Sequence, residues 1–241
     1  MKEKAKPEVI VALDVELRES AMGLVAELRD DIGFFKLGSR LFTAEGPSIV
    51  KEIGRAGADI FLDLKFHDIP ATVAGSVRAA AALGVRMMTL HTTGGVDMMR
   101  AAVRAAREVS QEEDKPHPLL VGVTVLTSLS DGDLASIAPG AGGVADMVMR
   151  LAQSAKRSGL DGVVSSVEEA AKIKNEFGDD FIVVTPGIRP AGYAKGDQKR
   201  VATPAFAKES GADFIVVGRP VIEAESPAKA AAGILKELRE A

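Results

Sequence analysis

Short apolar runs alternate with longer amphipathic segments along the whole chain, and this alternation limits the possible folds more than any other feature. Most of the eight runs are almost continuous in Val, Ile, Leu, Phe and Met, without a polar residue at every second position. Continuous apolar strands of this kind are typical of a parallel sheet that is covered on both faces. The runs are Val9–Asp14, Gly33–Leu37, Asp59–Lys65, Val85–His91, Leu119–Thr127, Gly162–Ser165, Phe181–Thr185 and Asp213–Gly218.

The segments between the runs have the periodicity of helices. Residues 21–28, 144–151 and 231–238 each place apolar side chains at positions i, i+3, i+4 and i+7, which form one face of a helix. Glycine and aspartate recur just before a run, as in Gly159-Leu160-Asp161 and Gly211-Ala212-Asp213. Because glycine commonly ends a helix, this recurrence predicts an internal repeat of one strand–helix unit.

Eight such units in a chain of 241 residues fit a (β/α)8 TIM barrel, which closes with eight strands and takes roughly 250 residues. An open doubly wound sheet is the alternative, but it usually carries a glycine-rich motif after its first strand. Here the first strand ends in Ala12-Leu13-Asp14-Val15, which favours the barrel. The sequence therefore predicts an α/β protein with a flexible tail over residues 1–7 and a single barrel domain over residues 8–241.

Charge and composition argue against several classes of protein. With 30 basic and 34 acidic residues and a net charge of −4, the chain does not resemble a nucleic-acid-binding protein. It has no cysteine, which excludes disulfides, thiolate catalysis and cysteine-ligated metals. His67, His91 and His117 lack the spacing of zinc ligands, although carboxylates could still bind Mg²⁺. The polar N-terminus does not resemble a signal peptide, and no apolar run approaches the roughly 20 residues of a membrane span, so we expect a soluble cytoplasmic protein.

Charged residues stand at the ends of the first three predicted strands, where barrel enzymes place their chemistry. Asp14 ends strand 1, Lys36 lies near the end of strand 2, and Asp63 and Lys65 end strand 3. Because side chains alternate along a strand, Asp63 and Lys65 should point the same way. Charges within apolar strands are unfavourable unless they are paired. A structural ion pair would explain Asp63 with Lys65 but not Lys36, so a functional site is favoured.

Two of the acidic residues have simpler interpretations. Asp68 precedes Ile69-Pro70 and could cap the third helix, with proline in the first turn. Asp14 could be a turn residue after strand 1. Neither residue indicates a site without its neighbours.

A second group of polar residues follows the last two predicted strands. Arg189 comes after strand 7, and Gly218 and Arg219 come after strand 8. The loops after these two strands often bind phosphate in barrels, and arginine can donate two hydrogen bonds to phosphate oxygens. Two solvated loop arginines are the alternative, but their paired placement favours a phosphate site. The polar, glycine-containing loop over residues 191–200 is typical of a mobile lid.

The stretch Asp63-Leu64-Lys65-Phe66-His67-Asp68-Ile69-Pro70 resembles the Asp-x-Lys-x-x-Asp signature of orotidine 5'-phosphate decarboxylases. The resemblance covers essentially the whole chain. It extends to Ala12-Leu13-Asp14, Lys36-Leu37-Gly38, Leu126-Thr127-Ser128, Pro186-Gly187-Ile188-Arg189-Pro190, Gly196-Asp197-Gln198 and Val217-Gly218-Arg219-Pro220. It implies a cofactor-free, metal-free carboxy-lyase that converts orotidine 5'-monophosphate (OMP) to UMP and CO2 in de novo pyrimidine biosynthesis, working as a homodimer.

The resemblance also implies roles for individual residues. Lys36, Asp63, Lys65 and Asp68 would form an alternating charge network, and Asp68, Ile69 and Thr72 would reach into the active site of the partner subunit. The implied substrate contacts are Asp14 and Lys36 with the ribose, Thr127 with the pyrimidine, Gln198 with base and phosphate, and Arg189, Gly218 and Arg219 with the phosphate.

The implied chemistry needs such a charge network. Loss of CO2 from C6 of the pyrimidine leaves an electron pair that the ring delocalises poorly, so a preorganised ammonium is needed beside it. Lys65 is the candidate, and it would also supply the proton that replaces CO2. Repulsion between Asp63 and the substrate carboxylate is a lesser hypothesis.

Two other functions are compatible with a barrel of this kind. Mg²⁺-dependent phosphosugar enzymes, such as 3-keto-L-gulonate 6-phosphate decarboxylase and hexulose-6-phosphate synthase, resemble the Asp-x-Lys-x-x-Asp stretch. They usually carry an acidic residue where this chain has Lys36, and both Lys36 and Gln198 argue against them. A non-catalytic barrel that binds a phosphorylated ligand would leave the lysine–aspartate array without a purpose.

Overall fold

Eight parallel strands pair in sequence order and close on themselves, with the last strand beside the first. The computed structural model describes residues 7–190 and 202–241. The predicted (β/α)8 barrel is therefore confirmed. The strands are β1 (Glu8–Ala12), β2 (Phe34–Gly38), β3 (Asp59–Phe66), β4 (Met87–His91), β5 (Leu119–Val123), β6 (Gly162–Val164), β7 (Ile182–Thr185) and β8 (Phe214–Val217).

Helices surround the barrel, and after β2, β5 and β8 there are two helices where the simple repeat predicts one. Gly46, at φ 65°, separates the two helices after β2, and Pro47 starts the second of them. The helices are α1 (Arg18–Leu28), α2 (Ser39–Glu45), α3 (Pro47–Arg55), α4 (Pro70–Ala82), α5 (Gly95–Glu113), α6 (Asp131–Ile137), α7 (Val144–Ser158), α8 (Val167–Phe177), α9 (Pro204–Glu209), α10 (Arg219–Ile222) and α11 (Pro227–Glu240), with a 3-10 turn at Thr92–Gly94.

The fifth strand is shorter than the apolar run predicts, since it ends at Val123 and not at Thr127. Its neighbour β6 has only three residues, and Val123 pairs with its last residue, Val164. Thr124 still donates its amide and its hydroxyl to the Val164 carbonyl, at 3.3 and 2.8 Å. Beyond that point β6 offers no partner, so the chain leaves the sheet and forms part of the wall above it.

The recurring glycine–aspartate pattern has a structural role at the N-terminal end of the barrel. Gly159 and Gly211 both have φ 84°, a left-handed conformation that suits glycine at the end of a helix. The carboxylate two residues later then accepts a hydrogen bond from the adjacent strand: Asp161 from the Leu120 amide at 2.7 Å, and Asp213 from the Val183 amide at 2.6 Å. The repeat therefore links neighbouring strands and is not part of a catalytic site.

The N-terminal end of the barrel is filled by aromatic rings and one arginine. The guanidinium of Arg86 lies 4.6 Å from the ring centroid of Phe34 and 5.9 Å from that of Phe214. It donates two hydrogen bonds of 2.7 Å to Glu8 and one of 2.9 Å to Asp59. These contacts fill the N-terminal end of the barrel, so we expect a cavity at the C-terminal end.

Some of the sequence predictions concern residues outside the described ranges. Residues 1–6 of the predicted tail, and the predicted lid over residues 191–200 with Gln198, are among them. Pro7 is buried, and β1 begins directly after it. In the described part of the chain, the helices are too short or too polar to cross a membrane. A cytoplasmic location stays a prediction from the sequence.

Candidate active site

A cavity of about 510 Å³ opens at the C-terminal ends of the strands. Apolar side chains of the barrel interior, including Phe61, Val164 and Val216, line its base. Five of the eight charged residues that line it are basic, so its potential favours an anionic ligand. These eight residues are Asp14, Lys36, Arg40, Asp63, Lys65, Arg189, Arg219 and Glu223.

Within this cavity, four side chains form a row of alternating charge. The Lys65 ammonium lies 2.8 Å from Oδ2 of Asp63, and the Lys36 ammonium lies 3.5 Å from the same oxygen. Lys36 also donates to Oδ1 of Asp14 at 3.1 Å. The Lys36 and Asp63 side chains are each 12% exposed, whereas that of Lys65 is 37% exposed. The row is therefore buried at its centre and accessible at Lys65.

The row forms because three neighbouring strands end at the same level. Gly38 of β2 pairs with Asp63 of β3, so Lys36 and Asp63 lie on adjacent strands and face the barrel interior. Asp14 lies two residues beyond the end of β1, not within the strand as predicted, and reaches Lys36 from there. The predicted common direction of Asp63 and Lys65 is confirmed, since both line the cavity.

The end of β3 is irregular, which simple alternation did not predict. Leu62 pairs with Met88 and Phe66 with Leu90, so β3 has two more residues than β4 between these pairs. Lys65 lies in this interval at φ 53°, a left-handed conformation that costs a non-glycine residue about 1–3 kcal/mol. Strained residues of this kind cluster at functional sites, and here the irregularity directs the lysine into the cavity.

The electrostatics of the row keep its centre ionised. Burial alone would raise the pKa of Asp63, but the ammonium groups of Lys36 and Lys65 outweigh it and hold that pKa below its usual range. Burial alone would lower the pKa of Lys36, but Asp63 and Asp14 outweigh it and raise that pKa. Both groups therefore carry their charges at neutral pH.

This lowered pKa predicts a pH dependence of stability. The Asp63 pKa is lower in the folded than in the unfolded chain. The ionised carboxylate therefore stabilises the fold at pH above the unfolded pKa, about 3.9. This stabilisation is lost as pH falls through the folded pKa. We expect urea unfolding to show a constant free-energy difference between wild type and Asp63→Asn from about pH 5 to pH 8. Below about pH 4 the wild type should lose stability relative to the variant.

An aspartate-to-asparagine change at an exposed position is the control for this measurement. Asp30, whose side chain is 95% exposed, is suitable. If the free energies of unfolding of wild type and Asp63→Asn differed by the same amount at every pH down to about 3, the assignment of a paired, ionised Asp63 would be contradicted.

The residues predicted to bind phosphate line the cavity from the ends of β7 and β8. Arg189 follows β7 and is only 7% exposed, and its amide donates to the Ala202 carbonyl at 2.9 Å. Gly218 and Arg219 lie where β8 passes into α10. All three predicted residues line the same cavity as the charged row, and so does Thr127 from the loop after β5.

The structure does not bring Asp68, Ile69 and Thr72 into this cavity. All three are exposed, and Ile69 is 67% exposed despite its apolar side chain. Asp68 accepts a hydrogen bond from the Ile69 amide at 2.6 Å, but Ile69 is the N-cap of α4 and no side chain caps that helix. The interpretation of Asp68 as a helix cap was therefore wrong. Among the described residues of this one chain, Asp68 has no basic partner within salt-bridge distance.

Sequence reasoning missed several residues at or beside the site. Thr89 of β4 contacts both Asp63 and the Lys65 backbone. Its polar side chain in an apolar run, two residues before His91, was an available signal. Arg40 and Glu223 also line the cavity, from α2 and from the end of α10. Their positions depend on extra helices that the repeat did not predict.

Two histidines that are distant in sequence are neighbours in the fold. The ring centroids of His67 and His91 lie 5.3 Å apart. Burial and the neighbouring His67 lower the pKa of His91. In the residues that the structure describes, however, no group of three or more histidine, cysteine or acidic side chains could hold a metal ion.

Comparison with known proteins identifies the family of this chain. The model of the orotidine 5'-phosphate decarboxylase / HUMPS family matches residues 7–234. The chain belongs to this family. It is 46% identical over 237 residues to an orotidine 5'-phosphate decarboxylase of Coxiella burnetii, which covers 98% of this chain and 99% of that relative. An orotidine 5'-phosphate decarboxylase of Idiomarina loihiensis is 48% identical over 237 residues, with 98% and 100% covered.

The fold of a solved orotidine 5'-phosphate decarboxylase is also similar. The crystal structure of the enzyme from Lactobacillus acidophilus superimposes with a TM-score of 0.85 at 40% sequence identity, over 96% of this chain and 99% of that one. The family predicted from the Asp63–Pro70 motif is thus confirmed. The relatives from Coxiella burnetii and Idiomarina loihiensis both carry the decarboxylase name, so the phosphosugar alternative is not favoured.

Proposed function

We propose that this protein decarboxylates OMP to UMP and CO2 in pyrimidine biosynthesis. The observation that carries the proposal is the row of Asp14, Lys36, Asp63 and Lys65 inside a cavity that favours anions. Membership of the orotidine 5'-phosphate decarboxylase / HUMPS family and near full-length identity of 46–48% to enzymes with that name support the same reaction.

In this proposal Lys65 is the acid and the electrostatic partner of the reacting carbon. When the bond between C6 and the carboxylate breaks, CO2 leaves and the electron pair stays on C6. The Lys65 ammonium stabilises that pair and then transfers one proton to C6, which yields UMP and a neutral amine. Solvent returns a proton to the amine before the next turnover. The greater exposure of Lys65, relative to Lys36 and Asp63, suits both contact with substrate and reprotonation.

Asp63 and Lys36 hold Lys65 in place in this mechanism. Oδ2 of Asp63 is the acceptor for Lys65, and Lys36 balances the remaining charge of that carboxylate. Fixed charges at the reacting atom need no reorganisation during the reaction, which is the main advantage of a preorganised site. Asp63 could also repel the substrate carboxylate, a smaller contribution to the proposal.

The remaining predicted residues would bind the parts of OMP that do not react. Arg189, Gly218 and Arg219, which line the cavity beyond the ends of β7 and β8, would hold the phosphate. Asp14 and Lys36 would contact the ribose, and Thr127 the pyrimidine. Gln198, within the predicted lid, would bridge base and phosphate. Binding energy from the phosphate would then favour lid closure and assembly of the site.

The test of this function is direct. Purified protein that has been treated with EDTA should decrease the ultraviolet absorbance of OMP as it forms UMP, at the same rate as untreated protein. A rate that depends on added Mg²⁺, together with turnover of a sugar phosphate, would instead support the phosphosugar alternative. Tight UMP binding without any turnover of OMP would support a non-catalytic barrel.

We further propose a homodimer in which Asp68, Ile69 and Thr72 complete the active site of the partner subunit. The exposed positions of Asp68, Ile69 and Thr72 support this, because all three side chains are accessible to a second subunit. Within the described part of its own chain, Asp68 forms no salt bridge, which also supports the proposal because a carboxylate in the charge network needs a basic partner.

Mixing two inactive variants tests the shared site. Lys65→Ala and Asp68→Ala homodimers should both be inactive, whereas subunit exchange between them should restore activity, since one site of each mixed dimer has both native residues. An equal mixture should reach about one quarter of wild-type activity, because half of the dimers are mixed and each has one native site. A mixture that stays inactive although exchange is demonstrated would contradict the shared site.

A further inference from the structure

Thr89 lies beside the charged row and connects two of its members, Asp63 and Lys65. It is fully buried in β4 and does not line the cavity. Its hydroxyl accepts a hydrogen bond from the Lys65 amide at 2.8 Å and donates one to Oδ1 of Asp63 at 3.0 Å. A single side chain therefore contacts both the backbone of the proposed acid and the carboxylate that orients it.

The first of these bonds replaces one that the sheet cannot supply. Thr89 lies between Met88 and Leu90, the two residues of β4 that pair on either side of the irregular end of β3. The two extra residues of β3 interrupt the regular ladder there, and the left-handed Lys65 lies in that gap. Because a buried amide without an acceptor is unfavourable, the threonine oxygen stabilises this backbone conformation.

The second bond determines which oxygen of Asp63 faces the two ammonium groups. A hydroxyl has one proton, and because Thr89 accepts from the Lys65 amide, its proton is directed to Oδ1 of Asp63. Oδ2 is then left for both ammonium groups, at 2.8 Å from Lys65 and 3.5 Å from Lys36. Without the threonine, Oδ1 of Asp63 would lose this donor, and the carboxylate could tilt away from the orientation in which one oxygen faces both ammonium groups.

We infer that Thr89 is a positioning residue for the proposed decarboxylation, acting through Asp63 and the Lys65 backbone. This inference rests on the proposed function. It predicts that the hydroxyl, and not the volume of the side chain, matters for turnover. Valine keeps the volume and removes the hydroxyl, whereas serine keeps the hydroxyl and removes the methyl group.

The experiment compares kcat for OMP and the dissociation constant for UMP in Thr89→Val and Thr89→Ser. For Thr89→Val we expect kcat to fall about 10- to 100-fold, the usual loss when a residue that orients an active-site group is removed. UMP affinity should change by less than about threefold, because Thr89 does not line the cavity. Thr89→Ser should keep kcat within about threefold of wild type.

Thr185→Val is a matched control. Thr185 is also fully buried in a barrel strand, and in the described part of the chain its hydroxyl has no hydrogen-bond partner. This variant should keep wild-type kcat. If Thr89→Val does not fold, Thr89→Ala gives the same comparison with serine.

The possible outcomes separate this inference from the proposed function. Equal kcat for Thr89→Val and wild type would overturn the positioning role while the function stands. Equal losses in Thr89→Val and Thr89→Ser would also overturn it, because the hydroxyl would then not be the cause. A wild-type protein that does not turn over OMP would reject the proposed function itself, and the positioning role with it.

Discussion

Replacement of Lys65 by alanine should lower kcat for OMP by at least about 10⁴-fold, because two contributions are lost together. The first is the ammonium that stabilises the electron pair at C6, and the second is the proton that replaces CO2. The 2.8 Å contact with Asp63 fixes the position of this amine. A water molecule in its place would have neither the positive charge nor the fixed position. The measurement is single-turnover conversion of OMP to UMP by the variant, at enzyme concentrations far above those of substrate.

The control must separate chemistry from folding and binding. Lys65→Ala should unfold with a cooperative urea transition and should still bind UMP. Lys236→Ala, which removes a side chain that is 67% exposed on α11, should keep wild-type kcat. Turnover by a folded Lys65→Ala protein within tenfold of wild type would remove Lys65 from the proposed role.

Replacement of Arg219 by alanine should lower kcat/KM for OMP by about 100-fold, the usual effect of losing charge-assisted hydrogen bonds to a phosphate. The same change should alter kcat/KM for orotidine, the nucleoside without phosphate, by less than about threefold. The reason is geometric. Arg219 lines the cavity from the start of α10, whereas Asp63 and Lys65 line it from β3, three strands away around the barrel.

Comparing the two substrates makes this prediction specific. Arg239→Ala, an exposed change on α11, is the matched control and should leave both rate constants unchanged. An equal loss on OMP and on orotidine would show that Arg219 supports the site as a whole, and would contradict a role in phosphate binding.

The barrel and most of the charged row could be predicted because both depend on local patterns. Strands covered on both faces are apolar throughout, so the charges of Lys36, Asp63 and Lys65 stand out within them. Once the strands are arranged as a barrel, their C-terminal ends must lie at one mouth. That rule alone brings Lys36 of β2 next to Asp63 of β3, although 27 positions separate them in the sequence.

The remaining features depend on tertiary structure. The irregular end of β3 and the left-handed Lys65 have no glycine or proline to indicate them, so only the pairing with β4 reveals the role of Thr89. Likewise, the contact between His67 and His91 joins the loop after β3 to the end of β4. A partner subunit's contribution cannot be read from one chain, so the role of Asp68 stays a proposal.

One oxygen atom serves two lysines in this protein, and this has an energetic consequence. Because Oδ2 of Asp63 lies within 4 Å of both ammonium groups, the effects of removing Lys36 and Lys65 cannot be independent. Loss of either amine changes the charge balance that the other experiences, so the double variant should differ from the sum of the single ones. The two lysines therefore form one thermodynamic unit, and a double-mutant cycle would measure the free energy that they share through this oxygen.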